Sequence, residues 1–99
     1  MAELWSMEEL LAATRGRLEG EARGLFTGVS IDSRSIAPGD IFVAIEGDSR
    51  DGHEFAAAAL LKGAGLAIVA HPTDEMRAKG AVLVVDDPLA ALRRMAAAA

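Results

Sequence analysis

The chain has no cysteine among its 99 residues, which excludes disulfides and thiolate metal sites and fits a reducing compartment. Aromatic side chains are almost as scarce: Trp5, Phe26, Phe42 and Phe55 are all there are. The core must therefore be built from Leu, Val, Ile and Ala. No apolar run approaches the ~20 residues of a membrane span. The opening MAELWSMEEL has neither the basic stretch nor the apolar centre of a secretory signal. A cytoplasmic location, with no membrane partner, is the expectation. Basic residues are in deficit, ten against fifteen acidic, for a formal charge of −5. Nucleic-acid binding needs a basic face, so none is expected. An anionic small ligand stays compatible, because a few N–H groups and one Arg suffice to hold a phosphate.

Several chemistries lack their residues. No GxxxxGK[ST] loop is present for ATP, and no GxGxxG follows a strand. His53 and His71 have no ligand spacing with each other or with carboxylates, so no metal is expected. No nucleophile elbow with Ser, His and Asp in order occurs. Asp86-Asp87 reads as a strand end plus a helix cap rather than a catalytic pair.

What is there is one domain's worth of chain. A protein of this size buries roughly 65% of its unfolded surface, enough for one modest core. Ser6-x-x-Glu9 is a capping box, and Met7, Leu10, Leu11 and Thr14 follow on one face of a helix over Met7–Thr14, with Gly16 as its stop. Arg17–Glu19 reads as a short strand, Glu21–Gly24 as a turn and Leu25–Ile31 as a strand. Asp32–Ser35 favours local backbone hydrogen bonds over strand continuation. Pro38-Gly39 marks a turn. Ile41–Ile45, Leu66–Ala70 and Ala81–Val85 are apolar runs of strand length. Glu54–Lys62 is a helix ended by Gly63, Thr73–Lys79 a short helix capped by Thr73, and Asp87-Pro88 opens a last helix. Strands apolar on both faces require helices on both sides of a sheet. The fold class is therefore α/β: a small three-layer domain with a mostly parallel or mixed sheet flanked by helices. The last helix runs into Ala96–Ala99, as in a domain cut from something longer.

Chemical density concentrates in Ser30–Phe55, SIDSRSIAPGDIFVAIEGDSRDGHEF, where two polar loops flank one apolar strand. Asp32-Ser33-Arg34 follows the carboxyl end of a strand, where α/β sheets bind ligands. Arg34 offers a planar fork for phosphate, Ser33 one hydrogen bond and Asp32 an acceptor for a sugar hydroxyl. The competing reading is an Asx-turn with Asp32 and Arg34 paired on the surface, and residue types alone favour it. The second loop, Glu46–His53, carries two glycines and enters a helix, an arrangement suited to an anion. There Asp51 is alternatively a plain N-cap, and His53 a packed or solvated first-turn residue. If the two strands pair, the two loops lie side by side.

These residues closely resemble the N-terminal domain of the Mur ligases of peptidoglycan synthesis. The family's DSR, PGD-[IL]-F-[VF]-A-[LI]-x-G, DGH-x-F and A-x-x-x-GA are matched at Asp32–Arg34, Pro38–Gly47, Asp51–Phe55 and Ala59–Ala64. The resemblance spans about Leu4 to Met95, and the motifs are specific only as a set. Within the family, LWSMEELLAATRGRLEG and DGHEF are most similar to the type that adds D-Ala-D-Ala to UDP-N-acetylmuramoyl-tripeptide. The alternatives are the type that adds the third peptide residue and a free-standing regulatory or interaction domain of similar fold. The resemblance implies a bacterial, ATP- and Mg²⁺-dependent ligase. Residues 1–99 would be its UDP-anchoring domain, inactive alone. ATP binding and the rest of the site would belong to central and C-terminal domains of the same polypeptide. It further implies UDP-substrate contacts at Ile31, Ser33, Asp48, Ser49 and Arg50. Arg34 and His53 also match motif positions. Ile31 would meet the uracil and Ser33 would hydrogen-bond the ligand.

Overall fold

The computed structural model describes residues 7–20, 26, 28–45 and 52–98. The elements run α1 (Met7–Thr14), β1 (Arg17–Glu19), β2 (Gly28–Ser30), a 3-10 turn (Ser33–Ser35), β3 (Asp40–Val43), α2 (His53–Leu61), β4 (Leu66–Val69), α3 (Asp74–Lys79), β5 (Val82–Val84) and α4 (Pro88–Ala98). Five strands form one sheet in the order β1-β5-β4-β3-β2. All pairs are parallel except β1, which runs antiparallel to β5 at one edge. The sheet is therefore mixed, as expected from the sequence.

Three layers follow from strand alternation. Side chains on a strand alternate between faces, so each buried strand feeds two cores. Ile41, Val43, Leu66, Ile68 and Leu83 meet Leu10 of α1 and Ala91 and Met95 of α4. Phe42, Ala44, Ala67, Val69 and Val82 meet Ala56, Ala59 and Leu60 of α2 and Met76 of α3. Every residue of β4 is fully buried, which explains why LAIV has no polar alternate positions.

The helix ends show how local sequence sets the boundaries. Leu10 and Thr14 of α1 are buried, and the Thr14 hydroxyl donates to the Leu10 carbonyl at 2.7 Å. Ser6 of the expected capping box lies outside the described residues. Gly16 is not the helix stop in the expected sense. Arg15 takes the left-handed conformation, with φ 58°, and Gly16 serves close approach instead. A Cβ on Gly16 would meet Leu83 Cγ and Val85 Cγ1 at 2.9 Å. At the end of α2 the amide of Gly63 donates to Leu60 and that of Ala64 to Ala59, the paired bonds of a Schellman motif. The Thr73 hydroxyl caps α3 at the Met76 amide, and Asp87 caps α4 at the amides of Leu89 and Ala90.

Several strands are shorter than their sequences suggest: Leu66–Ala70 pairs as Leu66–Val69 and Ala81–Val85 as Val82–Val84. Among the described residues of Leu25–Ile31, Gly28–Ser30 is strand, ending before Ile31, and Phe26 contributes a lone bridge. The cause is local competition: Ser30 Oγ accepts the Asp32 amide at 3.1 Å and donates to the Asp32 carbonyl at 3.0 Å. This turn closes the ladder before Ile31. The run Ile41–Ile45 pairs only as Asp40–Val43, although the Ala44 amide still donates to Ile68. The Ala37–Asp40 turn closes as expected from Pro38-Gly39, with the Asp40 amide donating to Ala37 at 3.0 Å. The expected turn Glu21–Gly24 lies outside the described residues.

Candidate functional site

Strands β2 and β3 pair in parallel, so both deliver their following residues to one edge of the sheet. There Asp32 ends β2's extension and caps the 3-10 turn. Its Oδ1 accepts the Arg34 amide at 2.8 Å and Arg34 Nε at 3.1 Å, and its Oδ2 accepts an Arg34 terminal nitrogen at 3.1 Å. The Arg34 side chain, first through its hydrogen bond and then through the Arg34 backbone amide, holds the Asp32 carboxyl below its usual range. In return Asp32 raises the already high pKa of Arg34. The Asx-turn with a surface pair is thus present in full. It does not exclude a binding role, because the Arg34 side chain is still 79% exposed.

This turn forms one wall of a cleft of about 370 Å³ lined by Ile31, Asp32, Ser33, Arg34, Ile45, Gly52 and Phe55. The cleft lies at the carboxyl ends of β2 and β3 and against the first turn of α2, the crevice position of α/β sheets. Ile31 is 60% exposed, so its apolar side chain is open to a ligand in the cleft. Ile45 backs onto the α1–α4 core and Phe55 onto the α2–α3 core, so both are fixed from behind. The result is an apolar slot with a hydroxyl, a guanidinium and a carboxylate on one rim. That surface suits a flat ring beside an anionic or hydroxylated group.

Gly52 lets α2 approach the end of β3. Its amide donates to the Ile45 carbonyl at 2.8 Å, and a Cβ there would stand 2.7 Å from the Ile45 nitrogen. The 3-10 turn is held from the other end of α2, where Lys62 Nζ donates to the Ser33 carbonyl at 3.2 Å.

Of the residues expected at a UDP site, Ile31, Ser33 and Arg34 come together in this cleft. Asp48, Ser49 and Arg50 lie outside the described residues, as does Asp51. His53 is not in the lining. Its Nε2 accepts the amides of Ala70 at 2.9 Å and His71 at 3.1 Å, at the end of β4. Gly52 is one of the two glycines of the expected anion loop, whereas Ile45 and Phe55 were not expected to line the site. Their signal was position: the last apolar residue of a strand, and the first turn of the helix that follows.

A second cleft of about 330 Å³ is lined by Ala70, His71, Asp86, Asp87, Pro88 and Leu89. Asp87 there is engaged as the α4 cap, consistent with a structural reading. Among the described residues, no three His, Asp or Glu groups are placed to hold a metal ion, and no helix is long and apolar enough to cross a membrane.

Comparison with known proteins gives this geometry a family. The profile described as "Mur ligase family, catalytic domain" matches residues 25–99. The UDP-N-acetylmuramoyl-tripeptide--D-alanyl-D-alanine ligase of Treponema pallidum is 46% identical over 63 residues, 62% of this chain and 14% of the relative. The UDP-N-acetylmuramoyl-L-alanyl-D-glutamate--2,6-diaminopimelate ligase of Chlorobaculum tepidum is 44% identical over 64 residues, 64% of this chain and 13% of the relative. A crystal structure of MurF from Acinetobacter baumannii superposes with a TM-score of 0.84 at 34% identity, covering 94% of this chain and 20% of that one. The chain thus spans about one seventh of the curated relatives it matches. The profile covers well over half of the chain, and the MurF superposition carries the same sheet and helices across nearly all of it. By sequence and by fold, this chain belongs to the Mur ligase family.

Proposed function

We propose that this chain is the N-terminal, substrate-anchoring domain of a Mur ligase, holding the uridine-diphosphate end of a UDP-N-acetylmuramoyl-peptide. The observation that carries the reading is the cleft itself. Ile31, Ile45 and Phe55 offer an apolar slot for the uracil ring, beside the Ser33 hydroxyl and the exposed Arg34 guanidinium. Ser33 would hydrogen-bond the ribose or pyrophosphate. Arg34 would meet the pyrophosphate with the fork faces that Asp32 leaves open. By the family resemblance, Asp48, Ser49 and Arg50 are proposed to contact the nucleotide as well.

The favoured substrate is UDP-N-acetylmuramoyl-tripeptide, with D-Ala-D-Ala as the added group. Two observations support it: the Treponema relative carries that activity in its name, and the Acinetobacter structure is a MurF. The diaminopimelate-adding type is the second reading, favoured by the Chlorobaculum match at nearly equal identity. Either way the chain's part is the same. Anchoring the unreactive end of a long substrate lets its binding energy orient the reacting carboxylate elsewhere.

The cleft does not fit ATP with Mg²⁺. Among the described residues, the lining offers one carboxylate, Asp32, and both its oxygens are engaged by Arg34. ATP and Mg²⁺ are assigned to the remainder of a full-length ligase, and no catalytic step is placed on this chain. Calorimetric titration tests the reading. UDP and UDP-N-acetylmuramic acid should bind with millimolar affinity, and ADP at the same concentration should not. Equal affinity for UDP and ADP would overturn the uracil slot.

A further inference from the structure

We infer that His53 is a positioning residue for the nucleotide cleft: it clamps the first turn of α2 to the end of β4, and so fixes the wall formed by Gly52 and Phe55. This rests on reading that cleft as the nucleotide site, but its structural half stands apart from any ligand.

The geometry is specific. His53 is the first residue of α2, half-buried and flanked by two cleft-lining residues of the same turn. Its ring points away from the cleft, toward the segment that follows β4. One atom, Nε2, receives two backbone N–H groups, from Ala70 at 2.9 Å and from His71 at 3.1 Å. Both partners are donors, so the lone pair of Nε2 receives them. The rings of His53 and His71 lie 5.2 Å apart at a tilt of 42°, so His71 also packs against the clamp.

The clamp completes a two-point attachment of the helix start. On one side the Gly52 amide holds α2 to Ile45 at the end of β3. On the other, His53 holds it to the end of β4. A turn tied to two neighbouring strands cannot tilt about either one. Phe55, three residues along from Gly52, then has a fixed place in the lining it shares with Ile31. The amides of Ala70 and His71 lie where the ladder with β5 gives way to a loop, and His53 supplies their acceptor. An acceptor at that reach is the requirement, not an imidazole as such.

Substitutions that differ in reach separate this role from simple packing. Gln places Oε1 where Nε2 stands, whereas the Asn oxygen falls short and Leu has no acceptor. His and Asn have similar helix propensities, so the contrast is not one of helix stability. The variants are H53Q, H53N and H53L, read by amide chemical shifts without ligand and by titration with UDP-N-acetylmuramic acid. H53Q should keep the Gly52, Phe55, Ala70 and His71 amide positions and near wild-type affinity. H53N and H53L should shift all four and weaken binding roughly tenfold, the scale of one or two lost hydrogen bonds. In the wild type, the amides of Ala70 and His71 should exchange slowly with solvent, a readout that survives if a variant does not fold.

Fast exchange of both amides in the wild type overturns the inference. So does equal loss, or equal retention, across the three variants. Weakened binding in H53L with unmoved Gly52 and Phe55 amides also overturns it, because His53 would then act by touching the ligand. If the wild type binds no UDP ligand, the nucleotide reading fails, while the ligand-free shifts still decide the clamp.

Discussion

Lys62 and Ser33 are 29 residues apart in the chain, yet Lys62 Nζ donates to the Ser33 carbonyl oxygen at 3.2 Å. The bond joins the far end of α2 to the 3-10 turn that carries Ser33 and Arg34. One helix therefore supports both walls of the cleft: its first turn forms one wall, and its last turn steadies the other. Helix α2 is the frame of the site rather than a neighbour of it.

Lys62→Met should loosen the turn without harming the fold. The bond is exposed, and exposed charged contacts add at most about 1 kcal/mol. We expect a change in unfolding free energy within about 0.5 kcal/mol. Affinity for UDP-N-acetylmuramic acid should fall severalfold, and the amides of Ser33–Ser35 should move. Unchanged shifts across that turn would show that the tether does not position it.

Gly52→Ala is predicted to be destabilising although the backbone at Gly52 is ordinary helical, with φ −57°. The added Cβ would stand 2.7 Å from the Ile45 nitrogen and 2.9 Å from the Ala44 Cα. Both are backbone atoms of a buried strand end and cannot rotate away. A cost of about 1–3 kcal/mol follows, with the first turn of α2 pushed outward. Urea denaturation measures it, and an unchanged midpoint would contradict the close approach.

Asp87→Ala separates a cap from a catalytic or binding acid. Asp87 Oδ1 accepts the amides of Leu89 and Ala90 at 3.0 and 3.3 Å. Removing it should cost about 1 kcal/mol of stability. Nucleotide affinity should stay at the wild-type value, since Asp87 lies in the second cleft. A clear loss of UDP affinity at unchanged stability would assign Asp87 a role at the site.

The Asp32–Arg34 pair sets a pH dependence of known sign. The Arg34 hydrogen bond lowers the folded-state pKa of Asp32 below its ordinary value. The pair therefore contributes in full above that ordinary value, about 3.9, and fades as pH falls through the lowered one. The Arg34 amide shift should be flat from neutral pH to about pH 4 and move only below it. A transition between pH 5 and 7 would contradict the geometry.

Most of the fold was legible because its signals are local. The Met7–Thr14 periodicity, the Thr73 and Asp87 caps and the apolar runs around Phe42, Ile68 and Leu83 each report their own element. What was not legible depends on which segments meet. Arg15 rather than Gly16 turns the chain after α1, and Gly16 sits against Leu83 of β5 and Val85 just beyond it. The strand at Gly28–Ser30 ends before Ile31 because the Ser30 hydroxyl competes with its ladder, a choice that three-dimensional pairing decides. At the site, Ile31, Ser33 and Arg34 could be named from their motif. Phe55 and Ile45 could not, since each belongs to a core face and reaches the cleft only when α2 docks on β3. His53 carried a motif signal, but nothing in the sequence showed that its ring would meet Ala70 and His71.

We propose that the cleft at the carboxyl ends of β2 and β3 holds the uridine-diphosphate end of a UDP-N-acetylmuramoyl-peptide. Mapping amide shifts of the labelled chain during titration with UDP-N-acetylmuramoyl-tripeptide tests it most directly. Saturable shifts centred on Ile31–Arg34 and Gly52–Phe55 are expected, with little change at Asp86–Leu89. Shifts at millimolar ligand that miss both the Ile31–Arg34 turn and the start of α2 would contradict it.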